Sequence, residues 1–150
     1  CSNTIHKIAP IIEKSISIPL LHIVDPVGRA VVQKNLGQVG LLGTRTTMND
    51  PFYTKRLAEK FSISTLVPGE QEQVEINRII YDELAQNNNN PRSKQFLDAQ
   101  INELITRGVQ GIILVCTDLP KIVKQKDFPC PIFDSMAIFL DSLVDFILAA

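Results

Sequence analysis

Cys116 ends an unbroken aliphatic run, Ile112-Ile113-Leu114-Val115, and is followed directly by Thr117 and Asp118. A thiol ordinarily titrates near pH ~8.5, and a helix N-terminus lowers that value, so a cysteine can take up and return a proton near neutrality without a cofactor. Two other clusters bring small polar groups to the expected starts of helices: Ser2-Asn3-Thr4-Ile5-His6 opens the chain, and Thr44-Arg45-Thr46-Thr47 follows Leu41-Leu42-Gly43. Hydroxyls, amides and the free N–H groups of a helix start hold carboxylates. A thiol facing such groups suits acid–base chemistry on a small molecule that carries one.

The same residues have plain structural readings. Free cysteine is among the most buried residue types, and Asn3 and Thr4 are good helix caps. His6 reads as a first-turn histidine, His22 as a packed one, Arg45 as a solvated loop residue, and Thr47 as a cap before Asp50. Cys130, between Pro129 and Pro131, reads as a spacer entering the last strand.

The elements that must position these groups follow from hydrophobic patterning. Apolar runs alternating with helical patterns are the mark of βαβ units and a mainly parallel sheet with helices on both faces. Strands are expected at Leu20 to Val24, Val39 to Leu42, Ser62 to Leu66, Ile112 to Val115 and Pro131 to Phe133. Helices are expected over Lys7 to Lys14, from Pro26, from Asp50-Pro51, over Glu72 to Ala85, over Ser93 to Thr106 and over Met136 to Leu148. Asn87 to Asn90 with Pro91 form a polar loop, and Gly108 stops the helix before the Cys116 strand. Cys116, Thr44 and the opening cluster then meet at one edge of the sheet, the edge where open α/β folds bind ligands. The last helix is apolar around nearly its whole circumference, a pattern that calls for burial on all sides.

Composition limits the partners. With 150 residues, 45% of them hydrophobic, and a net charge of −1 spread along the chain, this is a globular domain without the basic patch that nucleic acid or an anionic membrane requires. No apolar run approaches the ~20 residues of a membrane span. Three cysteines without close spacing and two histidines make a disulfide framework or zinc site a poor fit, and reduced thiols point to the cytoplasm. The chain begins at Cys1, which suggests an amino terminus that has been lost.

Together the motifs resemble those of the aspartate/glutamate racemase family, the cofactor-independent amino-acid racemases. Ser2-Asn3-Thr4-Ile5-His6 stands for the family's Cys-Asn-Thr-x-His, and Val115-Cys116-Thr117-Asp118 for its Gly-Cys-Thr-Glu. Gly40-Leu41-Leu42-Gly43-Thr44, Phe52-Tyr53 and Pro131-Ile132-Phe133-Asp134-Ser135 complete the match across the chain. The resemblance implies two pseudosymmetric α/β domains with an amino acid, aspartate or glutamate, between them and no cofactor. Residues 1–134 would form the second, three-layer α/β/α domain, and 135–150 a terminal helix packed on an absent first domain. A homodimer is implied, and the fragment alone would be inactive.

By the same resemblance Cys116 is one catalytic acid/base and Ser2 occupies the position of the other. Asn3, Thr4, Thr44 and Thr117 bind the substrate's carboxylates. Cys1 lies one residue before the expected position and would need a register change to serve. A hydroxyl there resembles the L-aspartate/glutamate-specific branch. Two alternatives stand beside this reading: a degenerate amino-acid or dicarboxylate-binding module without catalysis, and a related enzyme of the hydantoin racemase or maleate isomerase type.

Overall fold

The computed structural model describes residues 2–149. Four strands, β1 (Gln38–Gly43), β2 (Ser64–Leu66), β3 (Ile112–Val115) and β4 (Ile132–Asp134), form one sheet in the order β2-β1-β3-β4. Every neighbouring pair is parallel. The two central strands are aliphatic on both faces because both faces are covered. Leu42, Ile112 and Leu114 point to one side, against Ile76 of α5 (Glu70–Arg78) and Leu97, Ile101 and Leu104 of α6 (Pro91–Thr106). Val39, Leu41, Ile113, Val115 and Phe133 point to the other, against Val27 and Val31 of α2 (Val24–Gln33), Leu57 of α4 (Pro51–Phe61) and Phe139 of α7 (Ser135–Leu148). The result is the expected three-layer α/β/α domain.

The strand expected at Leu20 to Val24 is not one: α2 begins at Val24 instead. His22 Nδ1 accepts the Val24 N–H at 3.3 Å and the His22 carbonyl accepts from Asp25 at 2.9 Å, so the run is turned into a helix start. Periodicity cannot separate a five-residue apolar run into strand or buried helix entry. The first helix is likewise split, into a 3-10 turn over Thr4–Ile8 and a short α1 (Ala9–Glu13). The helix expected to Ala85 leaves α-geometry after Arg78, passing through a π-helical turn, Ile79–Glu83, and a 3-10 turn, Leu84–Gln86.

The terminal helix starts as its sequence demands, with Asp134 Oδ1 accepting the N–H groups of Met136 and Ala137. Phe139 is buried, with Met136, Ile138 and Leu143 packed beside it. Leu140, Val144, Phe146, Ile147 and Leu148 are exposed.

The strand order places a topological switch between β1 and β3. From β1 the chain leaves toward β2 on one side, and from β3 toward β4 on the other, so the loops at their carboxyl ends diverge and leave a crevice. Close approach of these strands depends on Gly43, which is paired with Val115. A Cβ at Gly43 would collide with the Val115 side chain and stand 3.0 Å from its carbonyl oxygen. Gly43→Ala is expected to destabilise the fold by about 2 kcal/mol. An unchanged urea midpoint would show that the strands part without cost.

Candidate active site

A cavity of about 210 Å³ opens at this switch point. It is lined by the six residues expected from sequence, Ser2, Asn3, Thr4, Thr44, Cys116 and Thr117, together with Ile80, Tyr81, Ala85, Val115 and Asp118. Cys1 lies outside the described residues. A wider groove of about 520 Å³ runs between the amino-terminal helical segment and α4, past His6, His22, Arg56 and Lys60. Its cations are already matched: Arg56 and Lys60 both bind Asp25, and Lys55 faces Glu59. The smaller crevice is where the chemistry-bearing groups gather.

One wall is the opening segment. Asn3 is buried, and its Nδ2 donates to Ser135 Oγ at 3.0 Å. Ser135 is fully buried and donates its single proton to the Leu114 carbonyl at 2.7 Å, so toward Asn3 its hydroxyl can only accept. That fixes the amide's orientation and leaves Asn3 Oδ1 buried without a partner among the described residues. One of the two amide hydrogens expected to serve a carboxylate is therefore occupied. Beside it, Thr47 is fully buried and joins the hydroxyls of Thr4, at 2.9 Å, and Thr44, at 3.0 Å. Thr47 does not cap a helix, as its sequence position suggested. Thr44 caps α3 (Arg45–Asn49) by accepting the Thr47 N–H, and Asp50 caps α4.

The opposite wall carries Cys116, which is buried to 8% exposure. The sequence suggested a helix start that would lower its pKa; the structure has only a 3-10 turn, Leu119–Lys121. Burial is the largest influence and pushes the Cys116 thiol up. The N–H groups of Asp118 and Leu119 pull the other way, and the Asp118 N–H reaches Sγ at 3.5 Å. Nearby charges are opposed, Asp118 raising and Lys121 lowering.

Other singled-out residues fall outside the crevice lining. His6 donates from Nδ1 to the Ser2 carbonyl at 2.9 Å, and its ring lies 5.1 Å from that of His22. Arg45 reaches the exposed Glu70 at 3.0 Å. Cys130 is a buried member of the core, and its carbonyl accepts from Gln125. Among the described residues no cluster of three or more His, Cys, Asp or Glu is suited to hold a metal ion. Sequence reasoning missed Ile80 and Tyr81, which the π-helical turn delivers to the crevice, and Ala85, which the following 3-10 turn brings there. Their spacing reads as ordinary helix, so only Tyr81, exposed on a helix next to the asparagine loop, offered a signal.

A thiol, hydroxyls and a buried amide gathered at the switch point of a doubly wound α/β domain have the form of a small-molecule site. The profile of the Asp/Glu/hydantoin racemase family matches residues 1–143, and the chain belongs to that family. It is 29% identical over 147 residues to the broad specificity amino-acid racemase RacX of Bacillus subtilis, covering 98% of this chain and 63% of that protein. Among solved structures, it superposes on a protein from Yersinia pestis assigned to the Asp/Glu racemases with a TM-score of 0.95 and 39% identity, over 99% of this chain and 64% of that one. An aspartate racemase homologue from Pyrococcus horikoshii OT3 gives a TM-score of 0.88 at 35% identity, over 97% and 63%. The chain thus spans about 63% to 64% of the length of these relatives. Among the described residues no helix is long and apolar enough to cross a membrane.

Proposed function

We propose that the protein is a racemase interconverting the enantiomers of aspartate, glutamate or another amino acid by cofactor-independent proton transfer at Cα. The observation that carries this reading is the placement of Cys116 and Ser2 in one crevice with the hydroxyls of Thr4, Thr44 and Thr117. Cα is weakly acidic, and without an electron sink the carbanion-like transition state must be met by positioning and hydrogen bonds. Thr4, Thr44 and Thr117 receive the carboxylate, Asn3 borders it, and Cys116 moves the proton on one face. Ser2 holds the position of the second acid/base. In this reading residues 1–134 are one half of a two-domain enzyme, and the exposed Leu140, Val144, Ile147 and Leu148 of α7 meet the other half. The enzyme works as a cytoplasmic homodimer, and the 150 residues alone do not turn over.

Ser2 also favours a second reading, an amino-acid-binding module that has lost two-base chemistry, since a serine hydroxyl is a far poorer base than a thiolate. Proton NMR of L- and D-glutamate and aspartate in D2O with the full-length protein separates the two. Loss of the α-proton signal with inversion supports the racemase. Exchange of one enantiomer without inversion reduces Cys116 to a lone base, and binding without exchange leaves the module.

A further inference from the structure

We propose that Lys121 is a positioning residue for Cys116, tying the loop that carries the thiol to the π-helical wall of the crevice and neutralising the one carboxylate that faces it. Lys121 Nζ makes three contacts: Asp118 Oδ1 at 2.7 Å, Asn87 Oδ1 at 2.9 Å and the Leu84 carbonyl at 3.2 Å. The first belongs to the loop after β3, while the other two belong to the turn that ends the π-helical segment bearing Ile80 and Tyr81. Three oxygens match the three donors of an ammonium group. Asn87 is held in the left-handed region, φ 57°, at the point where it meets the lysine. One side chain therefore joins both walls behind the thiol.

The charge balance gives this link its consequence. Asp118 is the only charged side chain among the crevice-lining residues, and its N–H touches Cys116 Sγ. Tyr81 faces the crevice from the π-helical wall as its other titratable group, while Ser2, Asn3, Thr4 and Thr44 face it uncharged from the opening segment and the end of β1. Without Lys121 the Asp118 carboxylate keeps the Thr117 hydroxyl, which donates to its Oδ2 at 3.3 Å, but has no cation, and its negative charge beside the thiol disfavours loss of the thiol's proton. The inference concerns the thiol itself and holds whether the crevice racemises or only binds.

The test is the pH dependence of Cys116 alkylation by iodoacetamide, read on the Cys116 peptide by mass spectrometry. Ultraviolet thiolate absorbance, taken as a difference from Cys116→Ala, gives the same midpoint without a reagent. Lys121→Met is expected to raise the midpoint by roughly one pH unit, making alkylation ~10-fold slower below it. Lys121→Met with Asp118→Asn is expected to return the midpoint to the wild-type value. A rate scaled equally at every pH, or a double variant that stays shifted, overturns the proposal. If Lys121→Met does not fold, Asp118→Asn alone decides, since it must lower the midpoint; an unchanged or raised one overturns the proposal.

Discussion

Cys116→Ala is expected to abolish α-proton exchange, with a loss of at least about 10³-fold, while amino-acid binding changes only a few-fold. A positioned acid/base contributes about 10²- to 10⁴-fold, and Cys116 is the only thiol among the crevice-lining residues. The proposed binding groups Thr4, Thr44 and Thr117 are untouched by this change, so affinity and turnover are expected to separate. The pH profile follows from the environment of the thiol. Burial pushes Cys116 above its ordinary value, so the thiolate is the minor form at neutrality and its fraction grows as pH rises. Wild-type exchange should climb through the alkaline range until the thiol is fully ionised. Exchange rates measured by NMR in D2O across pH check both points: residual exchange in Cys116→Ala, or a wild-type profile flat above neutrality, would remove Cys116 from the mechanism.

A large loss of stability is expected as pH falls from about 6.5 to about 4, and His22 is its source. Burial, then the positive charge of Arg56, then His6, hold His22 near a pKa of about 4, against an ordinary 6.5. In the unfolded chain His22 takes its proton first, so the unfolded state gains as pH drops below 6.5 and the loss is complete below the folded value. At 1.36 kcal/mol per unit, the fall between about pH 7.5 and pH 4.5 is on the order of 2.5 kcal/mol. Asp25 acts at lower pH. Burial alone would raise its carboxyl, but hydrogen bonds from Arg56 and Lys60 outweigh it and hold the value at about 2, so its contribution is lost below the usual carboxylate range. His22→Asn keeps an acceptor at the δ position for the Val24 N–H and cannot titrate. Urea unfolding of both proteins at the two pH values should show the wild type losing more; equal losses would place the acid sensitivity elsewhere.

What was legible in the sequence tracks what is local. Ile112 to Val115 and Val39 to Leu42 read as central strands because aliphatics on both faces have few other uses. Leu20 to Val24 failed because His22 turns that run into a helix entry with a side-chain bond that no hydropathy pattern encodes. The π-helical turn over Ile79–Glu83 was invisible for a related reason: Ile79, Ile80 and Leu84 keep helical spacing, and the extra residue lies in the hydrogen bonding alone. At the site, the six lining residues were legible because each belongs to a motif at an element end. The electrostatics of Cys116 were not, since the sequence shows Asp118 and Lys121 as neighbours but not the burial that dominates them. Ser135 was read only as part of a motif, because its partners, Asn3 and Leu114, are brought to it by folding.

The Asn3–Ser135 bond joins residues 132 positions apart. During synthesis the opening segment emerges long before its anchor. Until β4 and the first turn of α7 have left the ribosome, the Asn3 amide has no hydroxyl to bind and the Leu114 carbonyl no donor. The crevice is thus completed by one of the last parts of this sequence to be made, and contacts of such separation form late and slowly. A nascent chain that can already pair β1 with β3 carries its thiol and hydroxyls before it has the wall that orients them, so the crevice takes its shape only once Ser135 has joined Asn3 to Leu114.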